Sequence, residues 1–455
     1  MMAKKKSKEL SPEERLEAAL VPEEEWPYEV PGNWCWTRLG ALSSNQYGYT
    51  AKAVYDDNLP KMLRITDIQE YGVDWESVPN CVVDKETIEK YLLKDGDIVI
   101  ARTGATTGKS FLLSNPKNAV FASYLIRLRV SHPVLTDCIY LFLQSDLYWK
   151  QISDLSSGIA QPGVNSSKLQ TLLTPLPPLP EQHRIVERIE SLFAKLDEAK
   201  EAAQAVEDGF EDRKAAILHK AFTGELTREW RKQPGHLLFR KSVTIKSICK
   251  SLKYGTASKS IPTGNIAVIR MGNLQGGEID WTNLVYSNNE EDNQKYKLSD
   301  GDVLFNRTNS AEHVGKTAIY RGEYPAIYAG YLIKLDYDHS IIIGDYLNYL
   351  LNSPEAKEYC NLVKSDAVNQ SNINAQKIGA FEIPLIGMDE QEELIRVVRN
   401  VIGHEVNVKE SAESVLDQID TMKKSILARA FRGELGTNDP GDESAVELVK
   451  RTLIV

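Results

Sequence analysis

The sequence lacks paired cysteines, long hydrophobic runs and a hydrophobic leader. Its cysteines are dispersed without a C-x-x-C pair, which argues against a disulfide framework or a zinc finger and indicates a reducing compartment. No run approaches the ~18 apolar residues that a membrane span needs, and the basic start at Lys4–Lys6 is not followed by an apolar segment. We therefore expect a cytoplasmic protein with no membrane segment and no bound metal. The five cysteines are Cys35, Cys81, Cys138, Cys249 and Cys360.

Motifs for catalysis and for nucleotide binding are also missing. The seven histidines form no H-E-x-x-H motif, and no G-x-S-x-G occurs. Residues 103–110 resemble a phosphate-binding loop, but three residues separate Gly104 from Gly108, one fewer than that loop requires. The segment from Phe111 to Leu113 is typical of a strand, not of the helix whose N-terminus would hold a phosphate. We therefore predict no catalytic residue, no ATP site and no cofactor.

The net charge of −10 is the opposite of what a nucleic-acid-binding protein usually carries. Residues 31–175 hold 14 basic and 14 acidic side chains, and residues 236–384 hold 16 of each, so the acidic excess lies outside both segments. A neutral domain can still present a basic face, because binding follows the local distribution of charge. Composition therefore neither supports nor excludes DNA binding.

One long amphipathic stretch occurs twice. The segment from Glu181 to Leu226 recurs 209 residues later, from Glu390 to Leu435, and both copies end in Ala-Phe-x-Gly-Glu-Leu. Apolar residues recur in steps of three and four, as in a coiled-coil seam, and the pattern is broken near Arg213 and at Glu405. Either stripe alone is also compatible with a core-facing helix.

Two matched seams predict that the two long helices pair with each other as an antiparallel coiled coil. Such a pair would place one domain at each end and relate the two halves by a pseudo-twofold axis. A helix of ~40 residues is roughly 60 Å long, so the pair would act as a ruler. The residues expected to pair are Ile185, Ile189, Leu192, Leu196, Val206 and Phe210 in the first copy and Leu394, Val398, Val401, Val415, Ile419 and Ile426 in the second.

A mixed α/β segment precedes each long helix, and the two segments are related. Tyr91–Thr103 matches Tyr296–Thr308 at an offset of 205 residues, and Tyr124–Arg127 has a counterpart in Tyr331–Lys334. The predicted fold is therefore two tandem α/β (α+β) domains, each followed by a long helix. The expected parts are an N-terminal extension (1–30), the first domain (31–175), the central helix (176–235), the second domain (236–384), the C-terminal helix (385–436) and a tail (437–455).

Turn residues and apolar runs predict the local structure of the first domain. Ser11 and Pro12 indicate the start of a helix over residues 11–20, and Trp26–Trp36 should form an irregular strap. One helix is predicted over Cys138–Gln151, and Pro175–Pro180 should be extended before the long helix begins. Strands are predicted at Met62–Ile65, Ile98–Ala101, Ser110–Leu113 and Tyr124–Val130.

Both domains carry polar residues suited to contacts with DNA. An Arg-Thr pair ends a predicted strand, a Gly-Lys pair follows, and a second polar loop lies at residues 157–166 or 364–373. Arg and Lys suit guanine, Asn and Gln suit adenine, and Ser and Thr suit phosphate or a base edge. Exposed turns with ordinary surface charges explain the same residues about as well. The candidates are Arg64, Arg102, Thr103, Thr106, Thr107, Lys109, Gln161 and Asn165, and Arg270, Arg307, Thr308, Asn309, Lys316, Gln370 and Asn372.

The candidates are expected to divide into two kinds of contact. Lys109 and Lys316 should hold phosphates, so that losing either one weakens binding without changing the preferred sequence. At least one of Arg102 and Arg307 is expected to read a base, so that losing it changes the preference.

Several of these motifs occur together in a known family. They are Asp95-Gly96-Asp97 and Asp300-Gly301-Asp302 with the Arg-Thr and Gly-Lys pairs that follow, Pro177–Gln182, the two Ala-Phe-x-Gly-Glu-Leu ends, and the tryptophan-rich segment from Trp26 to Leu39. In these features the chain resembles the specificity subunits of type I restriction–modification systems, over nearly all of its length after the first twenty residues. The second helix start, Pro384–Gln391, departs from the Pro-Glu-Gln pattern.

The resemblance implies a DNA-recognition and scaffold subunit without its own catalytic site. Its two target-recognition domains would each read half of a bipartite, asymmetric site in double-stranded DNA, and the helices would set the spacer. Two methylation subunits would dock on the helices and restriction subunits would join them, bringing the S-adenosylmethionine and ATP chemistry. The alternatives are a methyltransferase or nuclease that carries its own target-recognition domain, and a coiled-coil scaffold, which would leave both domains unexplained.

Overall fold

The computed structural model describes residues 11–69, 72–156, 163–236, 239–310, 312–367 and 370–454. The chain divides into two compact units. The first unit holds the residues up to Ala202 together with those from Val415 onward, and the second runs from Ala203 to Ser414. Each unit therefore contains one α/β domain and a part of each long helical segment.

The domain of the first unit is built from short strands and short helices before the long helix begins. The helices are α1 (Pro12–Ala19), α2 (Leu39–Leu42), α3 (Lys85–Tyr91), α4 (Thr136–Phe142), α5 (Asp146–Ser156), α6 (Ser166–Gln170) and α7 (Leu179–Asp208). The strands are β1 (Cys35–Arg38), β2 (Ser43–Tyr47), β3 (Ala53–Val54), β4 (Lys61–Leu63), β5 (Ile68–Gln69), β6 (Gly72–Val73), β7 (Asn80–Cys81), β8 (Ile98–Ala101), β9 (Ser110–Leu112), β10 (Ala119–Phe121), β11 (Leu125–Val130) and β12 (Leu173–Leu176).

Two four-stranded sheets organise this domain, in the orders β2-β11-β8-β9 and β10-β4-β7-β3. Strand β11 is antiparallel to both β2 and β8, whereas β10 is parallel to β4. Strand β1 pairs with β12, so the first and last strands of the domain lie side by side. The main core joins the β8–β11 sheet to α4 and α7 through the buried side chains of Ile98, Ile126, Phe142 and Ile185.

The second unit repeats this plan. Its helices are α8 (Phe210–Thr223), α9 (Arg228–Arg231), α10 (Ile245–Ile248), α11 (Glu290–Lys295), α12 (Gly344–Leu351), α13 (Pro354–Val363), α14 (Ala375–Gly379) and α15 (Met388–Ala430), and α16 (Ala445–Ile454) follows in the first unit. The strands are β13 (Arg240–Thr244), β14 (Cys249–Tyr254), β15 (Ala267–Ile269), β16 (Leu274–Gln275), β17 (Glu278–Ile279), β18 (Val303–Asn306), β19 (Thr308–Asn309), β20 (Thr317–Ile319), β21 (Ala326–Tyr328), β22 (Leu332–Tyr337), β23 (Ser365–Ala367), β24 (Gln370–Asn372) and β25 (Glu382–Ile386).

The sheet of the second domain has the order β14-β22-β18-β20-β17-β16. Its β14-β22-β18-β20 part is the counterpart of β2-β11-β8-β9, with the same antiparallel pairing of the middle strand. Strands β13 and β25 pair as β1 and β12 do, and β21 is parallel to β15 as β10 is to β4. The predicted fold class, mixed α/β domains in tandem with long helices, is confirmed.

Most local predictions for the first domain are confirmed, with shifts of one or two residues. Ser11 caps α1, and the four predicted strands are present. Strand β4 ends before Ile65 because residues 65–67 form a 3₁₀ turn, in which the Asp67 carboxylate accepts a hydrogen bond from the Arg64 N–H at 2.8 Å.

The single helix predicted over Cys138–Gln151 is wrong. The segment forms two helices, α4 and α5, because the chain turns after Leu143 and Ser145 starts a new helix. The buried Ser145 hydroxyl accepts from the Tyr148 N–H at 3.4 Å. The second domain breaks at the matching position, where Ser353 caps α13 and Pro354 occupies its first turn.

The first long helix also differs from the prediction, since it begins at Leu179 and is interrupted at Gly209. Arg213 stabilises this break, because its Nη2 donates to the freed Val206 carbonyl at 2.8 Å. The glycine of the repeated Ala-Phe-x-Gly-Glu-Leu motif ends the helix in both long segments. Gly224 and Gly433 adopt φ of +88° and +74°, which lets the following N–H bond back to a carbonyl one turn earlier.

Candidate nucleic-acid interface

The structure joins two sets of candidates that lie far apart in the sequence. In the second domain, Thr308 pairs with Asn372 and Asn309 with Ser371, so that the polar loop continues the strand end as the small sheet β19-β24-β23. The Asn372 side chain also donates to the Thr308 hydroxyl at 2.8 Å. In the first domain the equivalent contact is a bridge between Thr103 and Gly163. Each domain therefore presents one continuous polar surface.

The arginines at the two strand ends have the same surroundings. The guanidinium carbon of Arg102 lies 5.0 Å from the centre of the Tyr47 ring, and that of Arg307 lies 4.9 Å from the centre of the Tyr254 ring. Each Nη1 donates a long, 3.4 Å hydrogen bond to a backbone carbonyl, that of Ser123 or that of Gly330. A planar guanidinium held against a ring keeps a defined orientation.

The tyrosines of this surface were missed by the sequence analysis. Tyr47 and Tyr254 are held by their hydroxyls, which accept from the N–H groups of Ser166 and Ala375 at 2.9 and 3.0 Å. Beside each arginine a further tyrosine points outward, with Tyr124 63% and Tyr331 51% exposed. Large aromatic side chains are usually buried, so exposed tyrosines at matching positions of two domains are unusual.

A repeated dipeptide could have revealed these tyrosines. Tyr47-Gly48 and Tyr254-Gly255 recur at an offset of 207 residues. A Cβ atom on Gly48 would lie 2.1 Å from the Ala122 carbonyl oxygen, and one on Gly255 would lie 2.1 Å from that of Tyr328. Both glycines are therefore needed where two backbones approach closely.

The candidate arginines differ in the partners of their side chains. Arg64 forms a two-pronged ion pair with the buried Asp67, at 2.6 Å for the shortest contact, and this contact raises the pKa of Arg64. Arg270 donates to the Asn283 carbonyl at 2.6 Å, so both residues hold turns. Within the described part of the chain, no carboxylate oxygen lies within 4.0 Å of the Arg102 or Arg307 nitrogens.

The two candidate lysines have different neighbours from the arginines. Lys109 is exposed, whereas Lys316 donates to the Gln275 side chain at 3.1 Å. Lys316 also lines a groove of about 540 Å³ between α8 and the second domain, together with Lys214 and Lys357. Burial lowers the pKa of Lys214, whose ammonium donates to the Gly276 carbonyl at 2.9 Å.

The remaining candidates divide by burial. Thr107 and Thr308 are buried, and the Thr107 hydroxyl donates to the Gly104 carbonyl at 2.7 Å, so both support the turns. Thr106, Asn165 and Gln370 are exposed, and Thr103, Asn309 and Asn372 are half-buried. Asn165 also caps α6 by accepting from the Lys168 N–H at 2.8 Å. Gln161 lies outside the described residues.

Side chains of the two long segments meet within each unit. In the first unit, Lys423 donates to Asp197 at 2.5 Å and lies 5.2 Å from the Phe193 ring centre. In the second unit, Arg213 donates to Glu405 at 2.6 Å. The two residues that interrupted the apolar pattern in the sequence are therefore partners of each other.

Burial varies along the predicted seam. It is complete or nearly so at six positions, partial at five, and lowest at Val415, which is 40% exposed. A straight helix drifts relative to a repeat of 3.5 residues, which moves some seam positions off the buried face. The buried positions are Ile185, Ile189, Phe210, Leu394, Val398 and Ile419, and the partly buried ones are Leu192, Leu196, Val206, Val401 and Ile426.

A buried glutamate at the start of each long helix is bonded by residues that follow the end of the other long segment, and Glu181 is bonded by Trp34 as well. Glu181 accepts from Trp34 Nε1 at 2.6 Å, Asn438 Nδ2 at 2.8 Å and Thr437 Oγ1 at 3.2 Å. Glu390 accepts from Thr227 Oγ1 at 2.8 Å and Arg231 Nη1 at 2.7 Å. The repeated Glu-Gln pair is thus a buried polar anchor, and its role is structural.

Among the residues described, no group of three or more His, Cys, Asp or Glu side chains could hold a metal ion. In that same part of the chain, every helix is too short or too polar to cross a membrane. All five cysteines are free thiols, and four of them are buried.

Two segments of the chain, residues 65–207 and 240–413, match the family described as the type I restriction modification DNA specificity domain. They account for more than half of the sequence, so the chain belongs to this family and contains its domain twice. DNA specificity is therefore the function that the family gives to both halves of the chain.

Two relatives match this chain over most of their length. The chain is 27% identical to the type I restriction enzyme EcoKI specificity subunit of Escherichia coli (strain K12) over 429 residues, which are 90% of each chain. It is 26% identical to the StySPI specificity subunit of Salmonella potsdam over 428 residues, again 90% of each. The resemblance inferred from the sequence is confirmed, and so is the prediction of a specificity subunit in place of an enzyme.

Solved structures support the fold. A chain from a study of complex assembly and conformational transition of the type I R-M system has a TM-score of 0.65 at 18% identity, over 90% of this chain and 100% of that one. The HsdS subunit from Thermoanaerobacter tengcongensis gives a TM-score of 0.56 at 18% identity, with the same coverage.

Proposed function

We propose that this chain is the DNA-recognition subunit of a type I restriction–modification complex and reads a bipartite, asymmetric site in double-stranded DNA. Residues 31–175 and 236–384 are the two target-recognition domains, and each reads one half-site. The observation that carries the proposal is the duplicated surface, in which a strand-end arginine, a polar loop and exposed tyrosines recur in both domains of a chain with two DNA specificity domains.

The contact surface contains the exposed and half-buried candidates whose side chains do not hold turns. Arg102, Thr103, Thr106 and Lys109 serve the first domain with the polar loop around Asn165, and Arg307, Asn309 and Lys316 serve the second with Gln370 and Asn372. Arginine without a carboxylate partner supports this role, because a neutralised guanidinium binds phosphate or guanine poorly. Arg64, Arg270, Thr107 and Thr308 contribute by holding the turns.

The two long helical segments pair as an antiparallel coiled coil and set the distance between the half-sites. The contacts of Lys423 with Asp197 and of Arg213 with Glu405 support this pairing, as do the glutamate anchors at both helix starts. The same helices form the surface on which two methylation subunits dock, and restriction subunits join that core. The chain acts as a specificity subunit while its partners supply the catalysis, and because its ligand is DNA, it works in the cytoplasm.

Co-expression with a methylation subunit tests this function. The expected result is a methylated motif in genomic DNA with two defined halves and a fixed spacer, detected by sequencing of modified bases. The purified chain alone should transfer no methyl group from S-adenosylmethionine. Methyl transfer by the chain alone, or a methylated motif with a single half, would contradict the proposal.

A further inference from the structure

Three residues recur together in both domains. We call these the Tyr–Arg–Tyr clusters, and they consist of Tyr47, Arg102 and Tyr124 in one domain and Tyr254, Arg307 and Tyr331 in the other. In each, the arginine N–H donates to the carbonyl of the outward tyrosine, at 3.1 Å in the first and 3.0 Å in the second. The second domain reproduces the ring distance, the carbonyl acceptor and the tyrosine hydroxyl anchor of the first to within 0.1 Å.

The clusters combine a fixed positive charge with exposed hydroxyls. A tyrosine ring covers one face of each guanidinium. In Arg307 the Nε is buried and has no acceptor among the described residues, so a ligand can reach only the terminal nitrogens. The outward tyrosines are more than half exposed. Arginine and tyrosine are both donors to phosphate oxygens, and a phosphodiester is an anion that such a pair can hold.

The surroundings of the clusters are not alike in the two domains. Over the described residues, the polar loop forms the three-stranded sheet β19-β24-β23 in the second domain, and in the first domain Gly163 bridges to Thr103 at the strand end. At equivalent positions of the polar loops, residues 163–166 read Gly-Val-Asn-Ser and residues 372–375 read Asn-Ile-Asn-Ala. The segment between the Arg-Thr and Gly-Lys pairs holds four residues (104–107) in the first domain and six (309–314) in the second. A chain that reads two different half-sites needs different side chains where it touches bases and can keep the same ones where it touches the backbone.

We propose that the two Tyr–Arg–Tyr clusters form a duplicated clamp on the DNA backbone that adds affinity without base preference. The inference rests on the proposed DNA-recognition function and replaces the expectation that Arg102 or Arg307 reads a base. Sequence is then read by the polar loops, and the clusters set the register of each domain on the duplex.

The test uses the full chain in complex with its methylation subunits. Arg102→Gln and Arg307→Gln remove the charge, and Arg102→Lys keeps it without the planar guanidinium. Arg38→Gln and Arg321→Gln are matched controls, because each removes one half-buried arginine that pairs with an exposed glutamate and lies outside the contact surface. Binding is measured at two salt concentrations against duplexes with randomised half-sites.

Each glutamine variant at the clusters should weaken binding to every sequence by the same factor. Its defect should shrink roughly threefold between about 50 and 200 mM salt, as expected for one lost phosphate contact. Arg102→Lys should keep the parent salt dependence, and the two controls should bind like the parent. Circular dichroism of each complex component establishes that the variants are folded.

Two results would overturn the inference. Relaxed preference at one base position in Arg102→Gln or Arg307→Gln would make that arginine a base reader. Unchanged affinity in both variants would mean that the clusters do not touch DNA. Failure of the proposed function itself is distinguishable, since the parent complex would then show no half-site preference at all.

Discussion

The two domains share a frame and differ in the loops that the frame carries. The pairing of strands β2, β11 and β8 in the first domain is the same as that of β14, β22 and β18 in the second. In each domain an arginine follows β8 or β18 and packs on the equivalent tyrosine, Arg102 on Tyr47 and Arg307 on Tyr254. In the part of each polar loop that the structure describes, the second domain forms the small sheet β19-β24-β23, whereas the first domain forms the bridge between Thr103 and Gly163. A duplicated protein can therefore diverge in what it recognises while the parts that position the loops stay fixed.

The buried glutamates give a second comparison. Glu181 is bonded by three neutral donors, whereas Glu390 is bonded by a hydroxyl and the Arg231 guanidinium. A buried carboxylate at this position needs hydrogen-bond donors, and the two halves of the chain provide different donors. The predictions below use such pairs of equivalent or contrasting positions.

The largest expected effect lies in the long helices, where Ile189 of α7 is buried, Leu192 of α7 is half-buried and Val415 of α15 is exposed. Ile189→Asp should lower the free energy of unfolding of the first unit by at least about 4 kcal/mol, because it buries an unpaired charge. Leu192→Asp should cost about half as much, and Val415→Asp less than about 1 kcal/mol. Calorimetry of the three variants measures the loss of unfolding free energy in each. Equal losses in all three would contradict the difference in burial between the three positions.

The glutamate anchors should respond differently to the loss of one donor. Arg231→Met leaves Glu390 buried with its hydroxyl partner alone and should cost about 3 kcal/mol. Thr437→Val removes one of three neutral donors from Glu181 and should cost about 1 kcal/mol. The two losses are measured by urea unfolding, and a larger loss in Thr437→Val would reverse the comparison.

The closing glycines should differ although they occupy the same place in the repeat. A Cβ atom on Gly433 would lie 2.4 Å from the Pro31 ring, which cannot move far, whereas one on Gly224 would meet the mobile end of Arg240 at 2.7 Å. Both have positive φ, so Gly224→Ala should cost about 1 kcal/mol and Gly433→Ala about 2 kcal/mol. Thermal melting of the two variants measures these losses. An equal decrease in melting temperature for both would mean that the contact with Pro31 does not add to the cost of Gly433→Ala.

Repetition and periodicity made much of the architecture predictable. The long helices, the strands at Ile98–Ala101 and Tyr124–Val130, and the tandem plan follow from apolar patterns that depend on near neighbours or on comparison within the chain. The break between α4 and α5 could not be predicted in this way, because apolar residues continue through it and the cap depends on one buried hydroxyl at Ser145.

The candidate site was predictable in composition but not in geometry. The strand-end arginines and both polar loops were found, since their residue types suit DNA. That Arg307 and Asn372 belong to one surface is a matter of long-range strand pairing, on which local sequence gives no information. The tyrosine rings and the Arg213–Glu405 pair were missed for the same reason, although both leave traces in the repeat.

Exchange of one domain tests most directly whether the two halves read DNA independently. Residues 31–175 are replaced by the equivalent segment of another family member, the hybrid is co-expressed with the methylation subunit, and the methylated motif is sequenced. The account predicts that one half-site changes while the other half-site and the spacer stay the same. A change in both half-sites, or in the spacer, would contradict it.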